Sequence, residues 1–141
     1  AMPDPADIPS GFFVSTDTNN RIAAAPAIGF GPAGFGTVTQ AATSGKATAV
    51  TLNAKCGVVT MNNAALASNA AIQFTMTNSA ITGTDVVIVT GGSGGGTAGS
   101  YQAHCVSVGA GSAIFRLVNT SAGSLSEAVA INFAVIDTYA A

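Results

Sequence analysis

The sequence predicts an all-β domain, an eight-stranded antiparallel β-sandwich. Val, Ile, Thr and Phe are concentrated in short runs that Gly, Asn and Ser separate, which is the composition of strands joined by turns. In residues 71–78 apolar Ile72, Phe74 and Met76 alternate with polar side chains, and this two-residue period is typical of a half-buried strand. No long stretch shows the helical period instead.

Eight such runs follow one another from residue 36 onward. Because eight strands with turns about ten residues apart are typical of two packed sheets, they favour the jelly-roll version of the sandwich. The predicted strands are 36–40, 49–53, 57–62, 71–78, 85–90, 100–108, 112–119 and 128–138.

The last predicted strand has one large apolar side and one side of small residues. Ala130, Asn132 and Ala134 form the small side. Small side chains allow another sheet or subunit to approach closely, but they can equally face solvent. Both interpretations stay open at this stage.

Residues 1–35 differ from the sandwich domain, residues 36–141. Five prolines lie in this first segment, where they prevent continuous helix and interrupt sheet ladders, so we expect an extended N-terminal arm. Its apolar residues are costly to leave in water, which favours docking of the arm on its own domain or on a neighbouring subunit over an unattached tail. These residues are Phe12, Phe13, Val14, Ile22, Ile28, Phe30 and Phe35.

Charge and hydropathy exclude two classes of partner. Charged residues make up 7% of the chain, against roughly 25% in an average domain. The basic residues Arg21, Lys46, Lys55 and Arg116 are scattered, whereas nucleic-acid binding needs a positive patch. Polar residues interrupt every apolar run well before the ~18–20 residues that span a membrane. We therefore expect neither nucleic acid nor membrane as a partner, no export signal, and faces that lie against other protein.

The inventory of reactive side chains is small. The chain has one His and six carboxylates, and no spacing among them indicates a catalytic pair. His104 and Cys105 are adjacent, so on a strand they point to opposite faces and cannot share one metal ion. We therefore predict no catalytic, cofactor-binding or metal-ligating residues. Cys56 and Cys105 are expected to be free buried thiols, with a disulfide as the alternative.

Two glycine-rich segments match no nucleotide-binding site. Residues 29–34 fit the spacing G-x-G-x-x-G, but Pro32 lies inside the match and a β-like run follows it where a helix is required. We interpret that segment as a hinge. Residues 91–96 lack the Lys and Ser/Thr of a phosphate loop and are expected to be a flexible connection.

The order of several segments resembles a widespread structural module of tailed-bacteriophage and prophage particles. The resemblance extends over residues 36–136, whereas the N-terminal arm and both cysteines depart from it. The segments are GTVTQAATSGK at 36–46, AVTLN at 49–53, GVVTMNNAAL at 57–66, FTMTNS at 74–79, TDVVIV at 84–89 and GSLSEAVAINFAVI at 123–136.

The resemblance implies a non-enzymatic virion protein without cofactors. It favours a homotrimeric capsid decoration (cement) or head-fibre protein, whose partners are its own copies and the major capsid protein or another virion protein. The alternative is the tip of a tail fibre or spike that binds a host receptor or glycan through loops such as residues 90–100. Aromatic residues make up only 6% of the chain, which disfavours sugar stacking and hence the alternative.

We predict that the far-ultraviolet circular dichroism spectrum of the purified chain is dominated by strand. No predicted helix is longer than one turn, so a helical content above about a fifth would contradict the β-sandwich.

Overall fold

The computed structural model describes residues 34–91 and 94–138, and within these ranges the chain forms eight β-strands and no α-helix. The predicted all-β class is confirmed. The predicted N-terminal arm lies outside the described residues except for Gly34 and Phe35. The compact unit that contains the strands begins at Gly34, close to the predicted boundary at residue 36.

Every predicted strand is present, with ends that differ by at most two residues. The strands are β1 (Phe35–Thr39), β2 (Val50–Thr51), β3 (Cys56–Thr60), β4 (Ala71–Thr77), β5 (Val86–Gly91), β6 (Tyr101–Gly109), β7 (Ser112–Asn119) and β8 (Ala130–Ile136).

The strands form two four-stranded sheets. Sheet I has the order β1-β3-β8-β5, and sheet II has the order β2-β4-β7-β6. Two neighbouring pairs, β1 with β3 and β2 with β4, are parallel, whereas the other pairs are antiparallel. The sheets are therefore mixed and not purely antiparallel as expected, and the jelly-roll version stays a prediction.

The parallel pairs follow from the path of the first four strands. The chain alternates between the sheets from β1 to β4, so each second strand returns to its sheet in the direction in which the chain left it. Such a crossover is the connection that parallel neighbours require. A sequence pattern cannot reveal it, because alternation of side chains is the same in parallel and antiparallel strands.

The core lies between the inward faces of the two sheets. Phe115 of β7 is fully buried and contacts Phe74 of β4 edge to face, with ring centroids 5.6 Å apart. It also contacts Phe133 of β8 in sheet I, at 5.9 Å. Burial of each such side chain contributes about 1.5–3 kcal/mol, so these three rings help to hold the sheets together.

Two asparagine side chains replace backbone partners in the loops. Asn119, at the end of β7, is completely buried. Its Oδ1 accepts hydrogen bonds from the backbone N–H and the hydroxyl of Ser121, at 2.9 and 2.7 Å. Its Nδ2 donates to the carbonyl oxygens of Leu66 at 2.9 Å, Ala67 at 3.1 Å and Gly123 at 2.8 Å. One side chain therefore joins two loops that have no strand pairing beyond a single bridge.

Asn78 has the same role at the end of β4. Its Nδ2 donates to the Ala54 carbonyl at 2.7 Å, and its Oδ1 accepts from the N–H groups of Ala80 and Ala54, at 2.9 and 3.2 Å. Because the side chain is fully buried, these bonds satisfy groups that water cannot reach.

The described glycines of the run at residues 91–96 are exposed, but two of them contact the chain around the start of β8. The carbonyl of Gly94 accepts a hydrogen bond from the Ala130 N–H at 3.1 Å. Gly95 has a φ of +77°, and a Cβ there would lie 1.7 Å from the Ala128 carbonyl oxygen. Gly95 therefore needs to be glycine because of both its backbone conformation and its close approach to the chain before β8.

We predict that Asn119→Ala lowers the free energy of unfolding by about 2–4 kcal/mol, because it leaves several buried backbone groups without partners. Urea titration followed by circular dichroism measures the change. The control is Asn63→Ala at an exposed position, for which we expect a change below about 0.5 kcal/mol. Equal effects of the two substitutions would contradict the proposed role of Asn119.

Candidate interaction surface

The outward side of sheet I is the most unusual surface in the described part of the chain. Inward-pointing residues of the sheet I strands, such as Val59 and Ile131, are fully buried. The residues that alternate with them along each strand therefore point away from the core. We call these outward residues the sheet I outer face. They are Phe35, Thr37 and Thr39 of β1, Cys56, Val58 and Thr60 of β3, Ala130, Asn132, Ala134 and Ile136 of β8, and Val86, Ile88 and Thr90 of β5.

Most of the large exposed apolar side chains lie on this face. Among the described residues there are five of them, and four belong to the sheet I outer face: Phe35, Val86, Ile88 and Ile136, with 46–52% of each side chain accessible. The fifth is Val106 on β6 of sheet II, which is the extra residue of a β-bulge. Single exposed apolar residues are ordinary, whereas several on one face make that face a candidate interaction surface.

The strand register determines how these side chains are arranged. Phe35 pairs with Cys56, Cys56 with Ala134, and Ala134 with Ile88, so one row crosses all four strands. With strands about 4.8 Å apart, the Phe35 and Ile88 positions are separated by roughly 14 Å. In this row the large side chains lie at the two edges of the sheet and the small ones lie between them, whereas the large Ile136 lies on the central strand β8 beside Val86.

No Asp, Glu, Lys or Arg belongs to the sheet I outer face. Of the charged residues next to its strands, Asp85 just before β5 is buried, whereas Lys55 lies just before β3 and Asp137 just after β8. These two form a partly exposed ion pair, and Lys55 also donates to the Ala80 carbonyl at 2.7 Å. The ion pair thus marks one end of an uncharged surface.

The small row predicted from the sequence is on this surface. Ala130, Asn132 and Ala134 are half-buried and lie on β8, one of the two central strands of sheet I. Sequence reasoning did not identify the exposed residues of β5. Val86 to Val89 are four consecutive apolar residues, which means that both sides of that strand are apolar, and this was the available signal.

Three charged residues with shifted pKa values, Lys46, Asp85 and Glu127, lie outside the sheet I outer face. Each of them is bound to backbone groups of a loop. Lys46 is buried, and its Nζ donates to the carbonyl oxygens of Asn62 and, at 2.6 Å, Glu127. Burial lowers the pKa of Lys46, while the Glu127 carboxylate acts in the opposite direction. Gln40 supports this loop, because its Nε2 donates to the Lys46 carbonyl at 3.0 Å. Lys46 therefore joins the loop before β2 to the chain before β8.

Glu127 fixes the loop between β5 and β6. Its carboxylate accepts hydrogen bonds from the Thr97 hydroxyl at 2.6 Å and from the Thr97 N–H at 3.0 Å, which lower the pKa of Glu127. Burial, together with the neighbouring Glu127 carboxylate, raises the pKa of Tyr101 to about 12. These contacts order a loop and do not bring a nucleophile and a base together.

His104 and the two cysteines lie on three different sheet faces. His104 is exposed and pairs with Arg116 on the outward side of sheet II, whereas Cys105 pairs with Phe115 and points inward, so their opposite orientation is confirmed. Both thiols are free, and each is half-buried instead of fully buried as expected. Cys56 belongs to the sheet I outer face, and burial raises the pKa of its thiol.

Within the described ranges no cluster of three or more His, Cys, Asp or Glu residues is placed to hold a metal ion. The same part of the chain has no helical segment with the length and apolarity needed to span a lipid bilayer. No protein-family model, curated protein or solved structure matches the chain.

Asp85 provides a pH-dependent contribution to stability. It is buried, and its carboxylate accepts hydrogen bonds from the N–H groups of Thr82 at 2.8 Å and Thr138 at 3.2 Å. Burial raises its pKa, but these bonds and the charge of Lys55 outweigh burial and hold the pKa below the ordinary value of 3.8. Because the folded-state pKa is lower, the contribution is present above pH 3.8 and is lost as pH falls through the folded-state pKa.

We predict that Asp85→Asn lowers the unfolding free energy by about 1–2 kcal/mol at pH 7, and that the difference from the unmodified chain shrinks below pH 3.8. Urea unfolding between pH 2 and 7 measures both quantities. Asp137→Asn is the control, since its partly exposed ion pair is worth at most about 1 kcal/mol. A difference for Asp85→Asn that is constant down to pH 2 would contradict this assignment.

Proposed function

We propose that this chain is a non-enzymatic structural subunit of a tailed-bacteriophage virion, a homotrimeric capsid decoration or head-fibre protein that binds the major capsid protein or another virion protein. The observation that carries the proposal is the uncharged, apolar sheet I outer face. Each half-exposed Phe, Ile or Val on it gains about 1 kcal/mol when the remainder of its side chain is covered by protein. A surface of this kind suits a subunit that functions inside an assembly.

The sequence resemblance over residues 36–136 supplies the kind of assembly. It implies a phage particle and a threefold symmetric part, which the face alone does not specify. The low charge of the whole chain, 7%, supports the same proposal, because weakly charged surfaces repel neighbouring copies little.

The arrangement of the reactive side chains supports a non-enzymatic role. Catalytic groups are commonly recognised by shifted pKa values in a shared cleft. Here Lys46, Asp85 and Glu127 have shifted pKa values, but each is bound to the backbone of a nearby loop. Hydrogen bonds lower the pKa values of Asp85 and Glu127, and burial lowers the pKa of Lys46, so loop anchoring accounts for all three shifts.

A second candidate is the tip of a tail fibre or spike that binds a host receptor. The loop between β5 and β6 favours it, because residues 94–99 are exposed and Glu127 holds Thr97 in place. In residues 94–100 there is no aromatic ring, so this loop offers hydrogen bonds to a sugar but no stacking surface. We therefore prefer the first candidate.

We predict that the chain is present in purified phage particles induced from the bacterium that carries its gene, at regularly repeated positions on the head. Mass spectrometry of the particles and cryo-electron microscopy test this, with a phage replication protein as the control that purification must remove. Location only at the tail tip would favour the receptor-binding candidate. Absence from the particles would contradict both candidates.

A further inference from the structure

We propose that the sheet I outer face is covered by a second copy of this chain, in a contact between like faces. A contact between like faces is twofold, so it is distinct from the threefold contact of the proposed function and does not rest on it. The shape and charge of the described residues carry the proposal, and the area of the face sets the expected strength of the contact.

The shape of the face is complementary to itself. Large side chains, Phe35 near one edge and Ile88 near the other, are separated by the small residues Cys56 and Ala134. When two such faces pack with an offset, the projecting side chains of one lie over the small row of the other.

The absence of charge on the face also favours a copy as the occupant. In a contact between like faces, a charged residue of one copy approaches the same residue of the other copy. The repulsion between these like charges weakens the contact. The sheet I outer face avoids this because its polar members are Thr and Asn, whose hydroxyl and amide groups donate and accept hydrogen bonds equally well. A strongly charged partner would instead lose hydration against this face without gaining an opposite charge.

The size of the face predicts a weak contact. Four strands about 4.8 Å apart, with five, five, seven and six residues at about 3.4 Å each, give roughly 380 Å² per copy, or roughly 750 Å² for a pair. This is smaller than a standard specific interface, so we expect association only at high micromolar concentrations. Attachment of many copies to one particle would raise their local concentration and strengthen the contact.

The experiment compares two substitutions that are matched in exposure. Ile88→Lys places a charge on the sheet I outer face, and Val106→Lys places the same charge on sheet II, where the parent side chains are 47% and 46% accessible. Sedimentation equilibrium of the full chain over a concentration series measures association. We expect the unmodified chain and Val106→Lys to associate alike, and Ile88→Lys to associate at least about tenfold more weakly.

Folding of each variant is checked by its thermal transition, and Ile136→Lys replaces Ile88→Lys if the latter is unfolded. Cys56 supplies a second readout because it lies in the row between Phe35 and Ala134. Its reaction with a maleimide should slow as the concentration of the unmodified chain rises, and should not slow in Ile88→Lys. Cys105 points from sheet II into the core between the two sheets, so its reaction rate should not depend on the concentration of the chain.

An unmodified chain that stays monomeric at the highest concentration overturns the inference. Equal weakening by Ile88→Lys and Val106→Lys, or a Cys56 reaction rate independent of concentration, also overturns it. Association through this face by a chain that is absent from phage particles overturns the proposed function alone. A chain found in particles, with Ile88→Lys associating as the unmodified chain does, overturns the contact alone.

Discussion

The packing of the two inward faces around Phe115 is the interaction on which the rest of the structure depends. Phe115 contacts the Phe74 ring of its own sheet and the Phe133 ring of the opposite sheet. Because side chains alternate along a strand, this contact also determines which residues point outward. A shift of β8 by one residue would bury Ala134 and expose Phe133, so core packing and outer surface are determined together.

The few polar side chains inside the domain act as partners for the backbone. Asn78, Asn119 and Lys46 each bind carbonyl groups in loops that have little or no strand pairing. This use explains why a chain with so few charged residues still buries a lysine. Side-chain hydrogen bonds therefore stabilise the loops, whereas apolar burial stabilises the sheets. A buried titratable group in this protein is therefore evidence of loop anchoring before it is evidence of chemistry.

The sheet I outer face has a different physical origin. β3 and β8 are the central strands of sheet I, and their outward residues, apart from the exposed Ile136, are half-buried. The edge strands β1 and β5 place larger apolar residues beside them. In a chain with 7% charged residues, no layer of Lys and Glu covers this face, which is why we propose that other protein covers it.

The sequence by itself determined the number, order and approximate ends of the strands, because turn residues and alternation are local signals. It also determined that His104 and Cys105 point to opposite faces, since adjacent residues of a strand always do. Only the tertiary structure decided the two parallel pairs and the separation of the cysteines between the sheets. It alone brought Phe35, Val86, Ile88 and Ile136 onto one face, because these residues are distant in sequence and meet only through the pairing of β1, β3, β8 and β5. Pairing partners depend on the path of the whole chain, which no local pattern records.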